Sequence, residues 1–445
     1  MAKHLLLWAL LVAGTVGALT RKWWAPRFTR WAEAREIPWR WWLLEFPVLT
    51  VRMRVTWRQV CLLNGLSISR RSTARVVDGV MVRGVALRPI PPRLGLPHLT
   101  RTGVVVRVRI HPGQTPGPFL AAAQALEHAW RVHGVRVASP QRGEVVITIT
   151  AHNPLHTTAR AVAAPTTAPL LSARVGRVDD GGPWLMNLRR IPHWLIVGAT
   201  QSGKSTLLAA FIKATAPQPV ALVGIDCKGG MELGLFSRRL SALATSRPEA
   251  RKLLTGLVTE VQQRMTLCWS TGVRSIWELP EDQRPVPVVV IIDELAELYL
   301  LDGTREGREE AEQCSTLLLR LAQLGAALGV HLVVAGQRVG SDMGPRVTAL
   351  RAQLGGRIVH RVHDEATAEM ALGDLSPDAV AVAQTISEEE QGVAVATVGG
   401  RWVRARSVLV TTEEARQVAS EYAALTPDLP ALGAVVLEKE GGKAA

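Results

Sequence analysis

The chain has 445 residues, 47% of them hydrophobic, which allows two or three folded domains and excludes an intrinsically disordered protein. Its formal net charge of +14 is unevenly placed: residues 1–110 carry 19 Lys and Arg against 4 Asp and Glu, and the rest is close to neutral. Cys61, Cys227, Cys268 and Cys314 form no CxxC pair, which argues against a zinc site or a disulfide framework and suits a reducing cytoplasm.

At the N-terminus, residues 5–19 (LLLWALLVAGTVGAL) carry no charge and are followed by Arg21, Lys22, Arg27 and Arg30. The run is at the short end of what spans a bilayer, and the basic residues after it place the bulk of the chain on the cytoplasmic side. Seven of the 14 tryptophans lie in the first 42 residues, as expected for rings at the headgroup level. The next apolar stretch, IPWRWWLLEFPVLTV (37–51), contains Arg40 and Glu45 and reads as an interfacial or re-entrant piece rather than a second span. Residues 1–51 are thus expected to form a membrane anchor with a Trp- and Arg-rich interfacial segment.

Residues 52–165 contain β-type runs at 104–110, 135–138 and 145–150. Between the first two, Phe119, Ala122, Leu126 and Trp130 recur at helical spacing. This is a small α+β domain without a catalytic constellation; His111, His128, His133 and His152 are scattered and read as ordinary histidines. AVAAPTTAP (161–169) reads as a linker.

Next comes GATQSGKST, in which Gly198, Gly203, Lys204 and Ser205 fit GxxxxGK[ST] between the strand-like WLIV and the helical TLLAAFIKA. Glycines in such a loop let backbone N–H groups turn toward phosphates. Gly198, Ala199, Thr200, Gln201, Ser202, Gly203, Lys204, Ser205 and Thr206 are therefore expected to bind a nucleotide, with Lys204 on the terminal phosphates and Ser205 on Mg2+. A secretory signal would also fit residues 5–19, but a nucleotide-hydrolysing domain outside the cell would have no ATP, so the uncleaved anchor is preferred.

VPVVVIIDELAEL (286–298) is an apolar strand ending in two carboxylates. Alone, such a pair is often a helix cap; after a phosphate loop, Asp293 suits the Mg2+ shell and Glu294 suits orienting and polarising the attacking water. HLVVAGQR (331–338) ends in Gln337, suited to sensing a γ-phosphate. VALVGIDCKGG (220–230) sets Asp226 and Lys228 at a strand end, and GGRIVHRV (355–362) supplies Arg357 and Arg361. All lie at the carboxyl ends of expected parallel strands, where open α/β sheets bind ligands.

In this order and spacing, these stretches resemble the motor domain of the FtsK/SpoIIIE family of DNA-pumping ATPases, over roughly residues 171–410. GVRSIWELP and the anchored architecture are similar to Tra-type transfer proteins of actinomycete plasmids and integrative elements. The resemblance implies an α/β, RecA-like P-loop NTPase motor with a smaller α+β domain and an N-terminal membrane anchor. It implies a homo-oligomeric ring, a hexamer, that surrounds double-stranded DNA and moves it using ATP and Mg2+, held at the cell membrane with the motor in the cytoplasm.

Residue by residue, the resemblance implies Lys204 and Ser205 as the phosphate-loop pair, Asp293 as the Mg2+ ligand, Glu294 as the catalytic carboxylate and Gln337 as the sensor. Arg357 matches an arginine that reaches a neighbouring subunit's nucleotide. Three positions depart from the family: Gln201 stands where Gly or a similarly small residue is common, Gly336 where Thr is, and Ala326 where Arg is. Residues 411–445 offer one helix (411–425) and a tail, too short for the winged-helix sequence reader of chromosome-segregating members. This favours conjugative transfer of a mobile element over a chromosome-segregation pump. A secretion-type ATPase moving protein substrates is the other alternative, and a single phosphate loop argues against it.

Overall fold

The computed structural model describes residues 41–69, 76–77, 80–81, 89–100, 102–156, 169–301, 303–373, 377–399 and 401–432; the apolar run at 5–19 lies outside the described residues. The chain divides into two compact units, 1–154 and 155–445.

In the first unit, strand β1 (Gly103–Arg109) pairs antiparallel with β3 (Glu144–Thr150), which pairs with β2 (Gly134–Gln141). Short strands Arg93–Leu94 and His98–Leu99 line the other edge of β1. Val104, Val106 and Val108 of β1 and Val145, Ile147 and Ile149 of β3 are buried while their neighbours are more exposed, the period-two signature of a sheet covered on one face. Helices α1 (Phe46–Leu63) and α2 (Ala123–Trp130) complete this core with Leu49, Met53, Trp57, Val60, Leu126 and Trp130. α1 continues a π-helical turn, Trp41–Glu45, and is unbroken across residues 51 and 52, so the Trp-rich segment and the small domain share one helix. No described helix is long and apolar enough to cross a membrane.

The second unit is built on a ten-stranded sheet. In chain order its strands are β4 (Ser172–Val178), β5 (Pro183–Asn187), β6 (His193–Val197), β7 (Ala221–Ile225), β8 (Ala242–Ala244), β9 (Val288–Ile292), β10 (Val330–Gly336), β11 (Gly356–His360), β12 (Val393–Val398) and β13 (Arg401–Ser407). Across the sheet they run β5-β4-β13-β12-β11-β6-β10-β9-β7-β8, the last six parallel and the others antiparallel.

The parallel strands are continuous apolar runs because helices cover both of their faces. In β6, Trp194 and Ile196 enter one core with Leu207 and Phe211 of α3 (Lys204–Thr215). Leu195 and Val197 enter the opposite core with Leu254 of α4 (Arg247–Thr271) and Leu318 of α5 (Arg305–Leu328). Arg239 is wholly buried and donates to the carbonyls of Ala216, Gln218 and Val220, satisfying chain oxygens just past the end of α3.

Helix α6 (Thr412–Glu421) opens with a capping box between Thr411 and Glu414. Its Ala415 joins the α3 core, and Leu429 and Leu432 pack into the α4 and α5 core, so the chain to residue 432 is part of this unit.

Candidate active site

β6 emerges at the carboxyl edge of the sheet between β10 and β11, where the strand order turns back on itself. Residues 198–203 then form a loop that leads directly into α3. A Cβ on Gly203, whose φ is +111°, would lie 2.5 Å from the backbone of Gly392, and one on Gly198 would lie 2.7 Å from His360 Cβ. The loop is also bonded from behind. Gly392 N–H donates to the Ser202 carbonyl at 3.0 Å, and Ala199 N–H donates to the Arg361 carbonyl at 2.8 Å.

Gln201 sits in the left-handed region at φ +59°, a conformation that glycine adopts more readily. Its carbonyl accepts from Gln391 Nε2 at 2.8 Å, one contact that holds the strained turn.

Lys204 and Ser205 lie on the first turn of α3, where unpaired N–H groups and the helix dipole favour an anion. The Lys204 ammonium donates to the carbonyls of Gly198 at 2.6 Å and Ala199 at 3.1 Å, arching over the loop. Burial lowers its pKa, while Glu294 and Asp293 oppose that shift.

β9 ends at Asp293 and Glu294, both 6% exposed, so two adjacent carboxylates are held out of bulk water. Burial, reinforced by Asp226 and opposed by Lys228, raises the Asp293 pKa to about 6. Glu294 Oε1 accepts the backbone N–H of Gln337 at 3.1 Å, so the residue after β10 positions the carboxylate while the Gln337 side chain stays exposed. A Cβ on Gly336 would stand 3.3 Å from the same oxygen.

Lys228, at the end of β7, points its ammonium at the pair: 3.5 Å to Glu294 Oε2 and 3.9 Å to Asp293 Oδ2. The fully buried Asp226 shapes the loop that carries it, accepting the N–H groups of Lys228, Glu232 and Leu233.

Among the described residues of this site, Ser202 Oγ in the loop is buried without a hydrogen-bond partner, and Glu294 Oε2, just past β9, is buried with the Lys228 ammonium 3.5 Å away. Polar atoms buried without partners are costly unless a ligand or water completes them. With the glycine cradle, the helix N-terminus and the carboxylate pair, they fit a nucleotide with a divalent cation. Ser205 and Asp293 would hold the metal, whose chemistry is to neutralise phosphate charge. Glu294 could then accept a proton from water, and Lys204 could stabilise charge on the terminal phosphate.

The two arginines of the β11 segment turn in different directions. Arg357 is 8% exposed and its Nη2 donates to the Arg351 carbonyl of the same chain at 2.7 Å. Arg361, four residues on, reaches the loop instead: it pairs with Glu388 at 3.0 Å and lies 3.5 Å from the Thr200 carbonyl. At Ala326, the backbone carbonyl accepts the indole N–H of Trp277 at 3.1 Å, and the Arg189 guanidinium stacks 3.6 Å over that ring. The GVRSIWELP stretch is therefore anchored on α5. The roles of Lys228, Gly392 and Gln391 were not readable locally, because their partners lie 65 to 190 residues away.

The sequence comparisons agree with this geometry. Residues 29–151 match the actinomycete conjugal transfer protein N-terminal domain, and residues 158–283 and 276–341 match the FtsK/SpoIIIE family. The chain is 42% identical over 359 residues to transfer protein TraSA of Streptomyces ambofaciens, covering 77% of this chain and 85% of that one. The chain belongs to the FtsK/SpoIIIE family. It is a P-loop ATPase. DNA translocase SftA of Bacillus subtilis (strain 168) is 28% identical over 293 residues, covering 61% of this chain and 30% of that relative. The fold of this FtsK/SpoIIIE protein is shared with the pCW3 conjugation coupling protein TcpA, solved with ATPγS: TM-score 0.55 at 19% identity, over 84% of this chain and 99% of that one.

Proposed function

We propose that this ATPase drives translocation of double-stranded DNA as a membrane-tethered ring motor in conjugative transfer of a plasmid or integrative element. The carrying observation is the assembly of Lys204, Lys228, Asp293, Glu294 and the Gln337 backbone at one sheet edge, with the Glu294 carboxylate buried, in a chain that aligns over most of its length with a transfer protein. The similarity to a translocase supports DNA as the substrate. In this reading Glu294 is the catalytic base, Lys204 and Ser205 bind the phosphates and Mg2+ with Asp293, and Gln337 reports the γ-phosphate to the strand it ends. The ring is a hexamer in which Arg357 acts in trans, and to do so its guanidinium leaves the Arg351 carbonyl. Grip on DNA through the phosphate backbone makes binding sequence-independent and strongly salt-sensitive.

The test is ATP turnover by the full chain with and without linear duplex DNA. Stimulation by duplex, weaker for single strands and lost in high salt, supports the reading. Turnover indifferent to duplex removes DNA as the substrate.

A further inference from the structure

α1 is apolar on two opposite faces. One carries Leu49, Met53, Trp57 and Val60 into the core of the first unit. The other holds Val48, Val51 and Val55, with Leu44 of the preceding turn and Leu62 near the end; Val51 is 61% and Val55 74% exposed. At 100° per residue, positions 44, 48, 51, 55 and 62 fall on one stripe directly opposite the buried one, about 27 Å long at 1.5 Å per residue. Exposed Arg54 and Arg58 border the stripe, and residues 46–63 contain no Asp or Glu.

We propose that this outer face is a docking surface for an anionic bilayer, with α1 lying in the plane of the interface. The apolar stripe enters the boundary between headgroups and acyl chains, and the arginines beside it meet lipid phosphates. Charge selects this occupant over a second copy of the chain: self-pairing along the stripe would set arginines against arginines, and the carboxylate at its N-terminal end, Glu45, is already paired with His152. Geometry separates lying on from spanning, because the opposite face is already committed to a folded core and no described helix meets the length and apolarity of a span. This inference rests on the membrane location proposed above, and it gives the first unit a defined orientation against that membrane.

The test places a diazirine-bearing residue at Val55 in the full chain and photolyses it in vesicles of phosphatidylglycerol and phosphatidylcholine. Because Val55 is 74% exposed and stands outside the core of the first unit, the change leaves the fold intact. The expected products are lipid adducts, reduced at least several-fold in pure phosphatidylcholine and by about 25-fold in Arg54→Gln with Arg58→Gln, at about fivefold per arginine. Adducts to a second copy, or to residues 5–19 of the same chain, overturn the proposal. So does the absence of lipid adducts in a chain that floats with the vesicles. A chain that does not float at all fails the membrane location itself, so the two readings fail separately.

Discussion

The Lys228 ammonium lies 3.5 Å from Glu294 Oε2, while the Gln337 N–H holds Oε1 at 3.1 Å, so the carboxylate beside the phosphate loop is gripped from β7 and β10 at once. The side chain is 41% exposed on the lysine and 5% on the glutamate, which makes Lys228 the solvent-side partner of a buried group. Replacing Lys228 by Met removes that partner. Turnover is expected to fall roughly 10- to 100-fold, the scale of losing one electrostatic contact in an active site, with nucleotide affinity changed much less. Steady-state kinetics beside a fluorescent-nucleotide titration read the two effects; unchanged turnover removes Lys228 from the site.

Binding and hydrolysis should separate at Glu294 and Lys204. Glu294→Gln keeps the size and the Gln337 contact but cannot accept a proton, so nucleotide binding persists within a few-fold while hydrolysis drops by about 10²–10⁴. Lys204→Ala removes the cation that arches over the loop, and binding itself should be lost. Equal loss of binding in both variants would contradict the division of roles.

The loop's backbone makes opposite predictions at two neighbouring positions. Gln201→Gly relieves a left-handed residue that costs roughly 1 kcal/mol, so the melting temperature should hold or rise. Gly203→Ala adds that cost and a Cβ at 2.5 Å from Gly392, so it should destabilise by about 2–4 kcal/mol and abolish nucleotide binding. Thermal unfolding of both variants, with and without nucleotide, compares them.

Acid should weaken the motor through three buried imidazoles. Burial lowers His331 to about 3, and His193 and His360 to about 4, so all three fold as neutral groups. The unfolded chain binds protons on them below about 6.5, so the stability they contribute is present above that pH and is lost as pH falls toward their folded values. The slope is up to about 1.4 kcal/mol per imidazole per pH unit. Denaturant unfolding from pH 7 to pH 5 should show it, and His331→Asn should make it shallower; a flat profile contradicts the assignment of neutral buried histidines.

Much of the motor was legible because its signals are local. The phosphate loop, the apolar strand ending at Asp293 and the strand ending before Gln337 each carry their pattern within about a dozen residues, and each forms the element expected. What stayed hidden depends on distant partners or on side-chain direction. Nothing near Gly203 shows that Gly392 packs against it, and an arginine at 357 does not reveal that its guanidinium turns to Arg351. In the first unit the tryptophans and arginines of residues 37–51 suggested an interface, but only the fold shows that Leu49, Met53 and Trp57 face inward and leave Val51 and Val55 outside.

The central claim is that ATP hydrolysis at Glu294 moves double-stranded DNA, and triplex displacement reads it most directly. A third strand annealed at the far end of a linear duplex is followed as the full chain is given ATP and Mg2+. The account predicts displacement that requires ATP, is delayed in proportion to the duplex length ahead of the triplex, and vanishes in Glu294→Gln. Duplex-stimulated ATP turnover with no displacement at any length would contradict it.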